Sequence, residues 1–128
     1  MAGQDPFATV FVIEADSALS REIAAVLRQS GYRVACFPVA EEALTAPGGS
    51  VPDCAVIDLE LPNASGLECH RQLGERYPAI AVIFLAAPGA IAPAVAAIKQ
   101  GAVDVLEKPV ASADLVGSVA EGRRQAAL

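Results

Sequence analysis

Hydrophobic residues fall in short, nearly uninterrupted runs along this chain, and each run stops at a charged or turn-forming residue. Residues 8–13, 33–37, 54–57, 80–85 and 103–106 are such runs. Apolar stretches of this length, bounded by turn formers, predict buried strands. Between them the spacing changes. Leu19, Ile23, Val26 and Leu27 recur at helical intervals after Asp16 and Ser17, either of which can cap, and Gly31 supplies a C′ stop. Residues 40–46 predict a short helix closed by Pro47-Gly48-Gly49, and residues 66–77 a third helix with Leu67 and Leu73 inward and Pro78 at its end. Pro93, placed at N1, opens a fourth helix that runs to Gln100, with Gly101 as its stop. Ser112 caps a fifth through Arg124, in which Gly117 and Gly122 each cost about 1 kcal/mol relative to Ala.

Strands that are apolar along their whole length are buried on both faces, which requires a parallel sheet covered by helices on each side. The expected architecture is therefore a doubly wound α/β domain with a five-stranded parallel sheet. With 128 residues there is room for one such core. The expected domain spans residues 8–126, after an N-terminal lead at 1–7 and before a tail at 127–128.

Composition narrows the function classes. The chain is 54% apolar and carries a net charge of −6. An acidic chain is a poor partner for phosphate backbones, so no direct nucleic-acid contact is expected. No apolar run is long enough to span a bilayer, and residues 1–5 lack the basic n-region of a signal peptide, so a cytoplasmic protein with no membrane contact is expected. Cys36, Cys54 and Cys69 form no C-x-x-C pair and read as small buried hydrophobes in a reducing compartment. His70 stands alone and reads as an ordinary helix residue. Gly48-Gly49 lacks the strand–Gly–helix context and following Lys-Ser/Thr of a phosphate cradle, which argues against a flavin or nucleotide binder.

The chemistry gathers at the strand ends. The third strand stops abruptly at Asp58, followed by Leu59-Glu60-Leu61-Pro62-Asn63-Ala64-Ser65-Gly66. Taken alone, Asp58 could simply initiate that turn. In open α/β sheets, however, ligands bind beyond the carboxyl ends of the strands, and those ends share one edge. The first strand brings Glu14 and Asp16 there, the third Asp58, the fourth Ala86 and the fifth Lys108. Carboxylates gathered around an oxygen-only site suit Mg²⁺, and an ammonium beside them can neutralise a bound anion. These are the parts needed to move a phosphoryl group onto a carboxylate nucleophile.

With Asp58 ahead of Pro62 and Gly66, and Gly101-Ala102-Val103-Asp104 leading into Lys108-Pro109, the chain resembles response-regulator receiver domains, the CheY-like, flavodoxin-like family. The resemblance implies strand order 2-1-3-4-5, Asp58 as phosphoacceptor, Lys108 as the phosphoryl contact and a cis Lys108–Pro109 bond. It also implies Mg²⁺ held by Asp58, Glu14 and the backbone carbonyl of Glu60, with Asp16 a less well-placed substitute. A sensor histidine kinase or phosphotransfer protein would be the donor, and no enzymatic activity is implied beyond self-catalysed phosphotransfer to Asp58.

The chain departs from the family pattern at three positions. The second acid after the first strand is Ala15, the usual Ser or Thr is Ala86, and the usual strand-five aromatic is Val105. The expected metal site is consequently weak, and the expected switch is impaired. The alternative reading is a phosphorylation-independent receiver-like module that binds a second copy or an output domain through its helix 4/strand 5/helix 5 face. Residues 86–98 contain no charge at all. There Val95 and Ile98 are assigned to the buried stripe, with Ile91, Ala94 and Ala97 facing outward.

Overall fold

The computed structural model describes residues 8–49 and 51–126, so the expected lead at 1–7 and tail at 127–128 lie outside the described residues. The chain folds in the order β1 (Thr9–Ile13), α1 (Ser17–Gln29), β2 (Arg33–Phe37), α2 (Ala40–Leu44), β3 (Cys54–Asp58), β4 (Glu60–Leu61), β5 (Ala64–Ser65), α3 (Gly66–Arg76), β6 (Ala81–Ala86), α4 (Ile91–Lys99), β7 (Asp104–Glu107) and α5 (Ser112–Ala126). The main sheet is parallel with order β2-β1-β3-β6-β7, which is 2-1-3-4-5 when its own strands are counted.

Alternation along β1 explains the two-sided core. Phe11 and Ile13 point to one face and join Ala55, Ile57, Val82 and Phe84 beneath α2, α3 and α4. Val10 and Val12 point to the other and join Cys54, Val56, Ile83 and Leu85 against Ile23 and Leu27 of α1 and Leu115 and Val119 of α5. The period-2 geometry of strands sends successive side chains to opposite faces. Both sets are apolar here, so both faces must be covered. The edge strands β2 and β7 are less covered, and on β2 Cys36 is exposed, contrary to the expectation that all three cysteines are buried.

Several boundaries differ from the sequence pattern for identifiable reasons. Asp16 is the α1 N-cap, its side chain accepting from the Ala18 and Leu19 N–H groups. Pro93 is the third residue of α4, not its first. The first four N–H groups of a helix have no intrahelical partner, so a proline costs no hydrogen bond there. In α5 the Leu115 N–H donates to the Ala111 carbonyl, which makes Ser112 the first helical residue and not the cap. The turn after β3 contains a small antiparallel ladder, β4 with β5, around Pro62-Asn63. Asn63 adopts φ 62°, a conformation that Asn tolerates better than most residues at the third position of such a turn.

The orientation of α4 departs from the expectation at Val95, Ile98 and Ala97, while Ile91 faces outward as expected. Ala97 is fully buried, whereas Ile91, Val95 and Ile98 are 74%, 48% and 49% exposed. The helix packs on the sheet through Ala97, with Ala94 half-buried, and its three β-branched residues form an outward stripe at i, i+4 and i+7.

Candidate functional site

Backbone hydrogen bonds beyond the regular ladders set the strand ends side by side. The Glu14 N–H donates to the Phe37 carbonyl at 3.0 Å, Leu59 N–H to Leu85 at 2.9 Å and Lys108 N–H to Ala86 at 2.8 Å. The register pairs Asp58 with Leu85 and Ala86 with Glu107. Residues far apart in sequence are thereby brought to one edge.

At that edge the Lys108 ammonium lies between two carboxylates. Its Nζ is 2.6 Å from Asp58 Oδ2 and 3.1 Å from Glu14 Oε1. Asp58 is further held by the Glu60 N–H, which donates to Oδ1 at 2.8 Å. Glu14 Oε2 accepts from the Asp16 N–H at 3.0 Å. Glu14 Oε1 is buried and has no hydrogen-bond partner, so its contact with Lys108 is a charge contact without hydrogen-bond alignment. The side chains of Glu14 and Asp58 are 2% and 9% exposed and that of Lys108 28%.

Burial pushes the Glu14 carboxyl above its ordinary value; the Asp16 N–H opposes this, Asp58 adds to it, and Lys108 opposes it. For Lys108, burial acts downward, but the Asp58 hydrogen bond and the nearby Asp58 and Glu14 carboxylates outweigh it and hold the ammonium above its ordinary value. The cation is therefore firmly protonated at neutral pH.

Gly66 is what permits this loop geometry. A Cβ there would lie 2.4 Å from the Asp58 carbonyl oxygen and 2.8 Å from Leu59 Cα. No side chain fits, and the Gly66 N–H donates to the Leu59 carbonyl at 2.9 Å. Ser65 caps α3, its hydroxyl accepting from the Glu68 N–H at 3.0 Å. The Ser-x-x-Glu spacing is the sequence signal for that cap.

Asp16 is exposed, and its Oδ1 is committed to the α1 cap. Glu60 contributes its N–H to Asp58, while its side chain is exposed. Ala86 is buried and Val105 half-buried, and the Lys108–Pro109 bond is cis. Beside Ala86 and Val105 runs an apolar groove of about 240 Å³, lined also by Ala90, Ile91, Ala94 and Val95. At its rim the Gly89 N–H donates to Glu107 Oε2 at 2.7 Å, a tie between the β6–α4 loop and the residue before Lys108 that the sequence reading did not anticipate. His70 sits edge-on to Phe84, its Nδ1 3.0 Å from Gln100 Nε2, and so joins α3 to α4.

The donor set fits a resident Mg²⁺ poorly. Among the described residues no three His, Cys, Asp or Glu side chains gather in a group that could hold a metal ion. Ala15 contributes no side-chain oxygen, and Lys108 stands against both Asp58 Oδ2 and Glu14 Oε1. Mg²⁺ demands close octahedral oxygen coordination, whereas here one ammonium already contacts an oxygen of each carboxylate.

The family model described as "Response regulator receiver domain" matches residues 10–120. The response regulator protein TmoT of Ectopseudomonas mendocina is 34% identical over 115 residues, covering 90% of this chain and 52% of that protein. Nodulation protein W of Bradyrhizobium diazoefficiens is 37% identical over 112 residues, covering 88% and 49%. The chain thus spans about half the length of the curated relatives it matches. Among solved structures, a response regulator receiver domain protein from Clostridium thermocellum superposes with a TM-score of 0.84 at 28% identity, covering 93% of this chain and 96% of that one.

Proposed function

This chain belongs to the response-regulator receiver domain family of two-component systems, and from that premise we propose that it accepts a phosphoryl group on Asp58 from a sensor histidine kinase or phosphotransfer protein. The observation that carries the reading is the anchoring of Asp58: one carboxylate oxygen is held by the Glu60 N–H and the other lies against the Lys108 ammonium. A carboxylate fixed at a strand end is a preorganised nucleophile. In the transfer, a carboxylate oxygen of Asp58 bonds to phosphorus as the bond from phosphorus to the donor atom breaks. The donor atom leaves with that electron pair. Lys108 then faces the phosphoryl oxygens and offsets their charge. Mg²⁺ is expected to bind weakly at this edge. The test is ³¹P NMR with a small phosphodonor such as phosphoramidate. An acyl-phosphate resonance is expected, absent in Asp58→Asn and weakened in Lys108→Ala. A resonance that persists in Asp58→Asn would refute the assignment.

A second reading is favoured by one feature, the exposed Ile91, Val95 and Ile98 of α4, the first two of which line the groove beside Val105. Contiguous exposed apolar surface marks interaction sites. In this reading the α4/β7/α5 face binds a second copy of the chain, or an output domain, whether or not Asp58 is phosphorylated. Neither Ala86 nor Val105 carries a hydroxyl or an aromatic ring that could couple the face to a phosphoryl group. Sedimentation should then show self-association equal with and without phosphodonor. A strict monomer at high concentration would remove the homodimer.

A further inference from the structure

The charges at the strand edge sum differently from a three-carboxylate site. Glu14 and Asp58 contribute two negative charges and Lys108 one positive, leaving a single negative charge. Two details make Glu14 the unusual member. It is one methylene longer than Asp, and its side chain is almost fully buried, with Oε2 tied to the Asp16 N–H and Oε1 facing Lys108. Oε1 is without a hydrogen-bond partner, so the Lys108 charge is what compensates it. A buried carboxylate with no compensating charge would be strongly unfavourable. The next residue, Ala15, is exposed and carries no side-chain oxygen.

We propose that Glu14 is a positioning residue for Lys108, not a metal ligand, and that the Lys108 ammonium bridging Glu14 and Asp58 serves as the built-in counter-cation that excludes a divalent ion from the resting site. This rests on the reading of Asp58 as the reactive carboxylate and adds the reason its metal site is closed. Lys108 and a divalent ion compete for the same two oxygens. Removing the ammonium should leave Asp58 and Glu14 as an uncompensated pair of acids that a divalent ion would satisfy.

The test is titration of Mg²⁺, and of Mn²⁺ as a paramagnetic probe, into the full chain and its Lys108→Met variant, followed through the Glu60 amide signal, since that N–H bonds Asp58 Oδ1. The parent should show no saturable response at millimolar metal. Lys108→Met should bind at least about tenfold more tightly. Lys108→Gln, which keeps a polar group of similar reach without the charge, should do the same and serves if the Met variant fails to fold. Glu14→Gln, which removes one acid and leaves Lys108 on Asp58, should not gain metal affinity, and the Lys108 side-chain signals should shift in it. Tight metal binding by the parent, affinity unchanged by loss of the Lys108 charge, or a binding loss in Glu14→Gln that marks Glu14 as a ligand would each overturn the proposal. Labelling of Asp58 by phosphoramidate is scored separately, in Mg²⁺ and in chelator. Its absence in both takes down the phosphoacceptor reading, while the metal comparison still decides this one.

Discussion

Gly66 was legible in the sequence only as a turn former and as part of the receiver pattern; its packing reason is the Asp58 carbonyl, 2.4 Å from where a Cβ would stand. Gly66→Ala should therefore force the loop behind Asp58 to move, at a cost of about 1–3 kcal/mol, measurable as a lower urea midpoint with a displaced Glu60 amide signal. Gly117 is the useful contrast. A Cβ there meets nothing within 4 Å, so Gly117→Ala should stabilise the chain by roughly 0.4–1 kcal/mol through helix propensity alone. Gly122, grouped with it on propensity, differs because it packs against Ala81, Val103 and Cys54; its cost to α5 is offset by a close helix–sheet approach. Cysteine exposure follows position in the fold, which composition does not report: Cys36 is on an edge strand, Cys54 on an inner strand and Cys69 on the sheet-facing side of α3. Cys36 on the edge strand should react with a thiol reagent in the native state, while Cys54 and Cys69 should react only on unfolding. Burial pushes the Cys54 thiol up from 9.0 to about 12 and that of Cys69 to about 11. The native state then holds protons that the unfolded state releases, so stability contributed by these thiols is present below pH 9.0 and is lost as pH rises through the folded values. Each loses up to about 1.4 kcal/mol per pH unit across that window. Urea titrations of the parent and of Cys54→Ala at pH 8 and above should show the parent's advantage shrinking with alkalinity.

At the scale of elements, the five main strands were readable because each is an apolar run with a hard stop, and α1 because its apolar positions keep phase with the helical repeat. The two-residue strands β4 and β5 were not readable, since a ladder that short is specified by turn geometry at Pro62-Asn63 and not by periodicity. Helix α4 was readable as a helix but not in its orientation. A segment with no charged residue offers no polar face to set the phase, so size decided it. Ala97 went inward, and Val95 and Ile98, expected inside, went outward. The substitutions that probe this face follow from the structure. Val95→Lys with Ile98→Glu should leave stability within about 0.5 kcal/mol, because both positions are half exposed, and should weaken self-association in sedimentation. Ala97→Lys should instead destabilise on the order of 3–5 kcal/mol, as an unpaired buried charge does, and so cannot serve as a surface probe.

For the whole molecule, the doubly wound sheet is what turns scattered residues into a site: Glu14, Asp58 and Lys108 meet because parallel strands end on one side. That convergence was legible from strand order and spacing. The assignment of the charges was not, because sequence alone left Glu14 and Asp16 as alternative ligands. In the fold Asp16 caps α1 and Glu14 meets Lys108. Ala15 sits where an added acid would supply a third oxygen donor, so Ala15→Asp should tighten Mg²⁺ binding by about tenfold or more, read by calorimetry; tight binding in the parent that Ala15→Asp leaves unchanged would count against a weak site. The central claim is narrower, that Asp58 is the carboxylate that takes the phosphoryl group. Acyl phosphates are reduced by borohydride at the acylated carbon, so treating the phosphodonor-exposed chain with borohydride and mapping its peptides locates the residue directly. The account predicts reduction at position 58 and nowhere else, abolished in Asp58→Asn. Reduction at Glu14 or Asp16, or no reduced carboxylate under conditions that label a receiver of known activity, would contradict it.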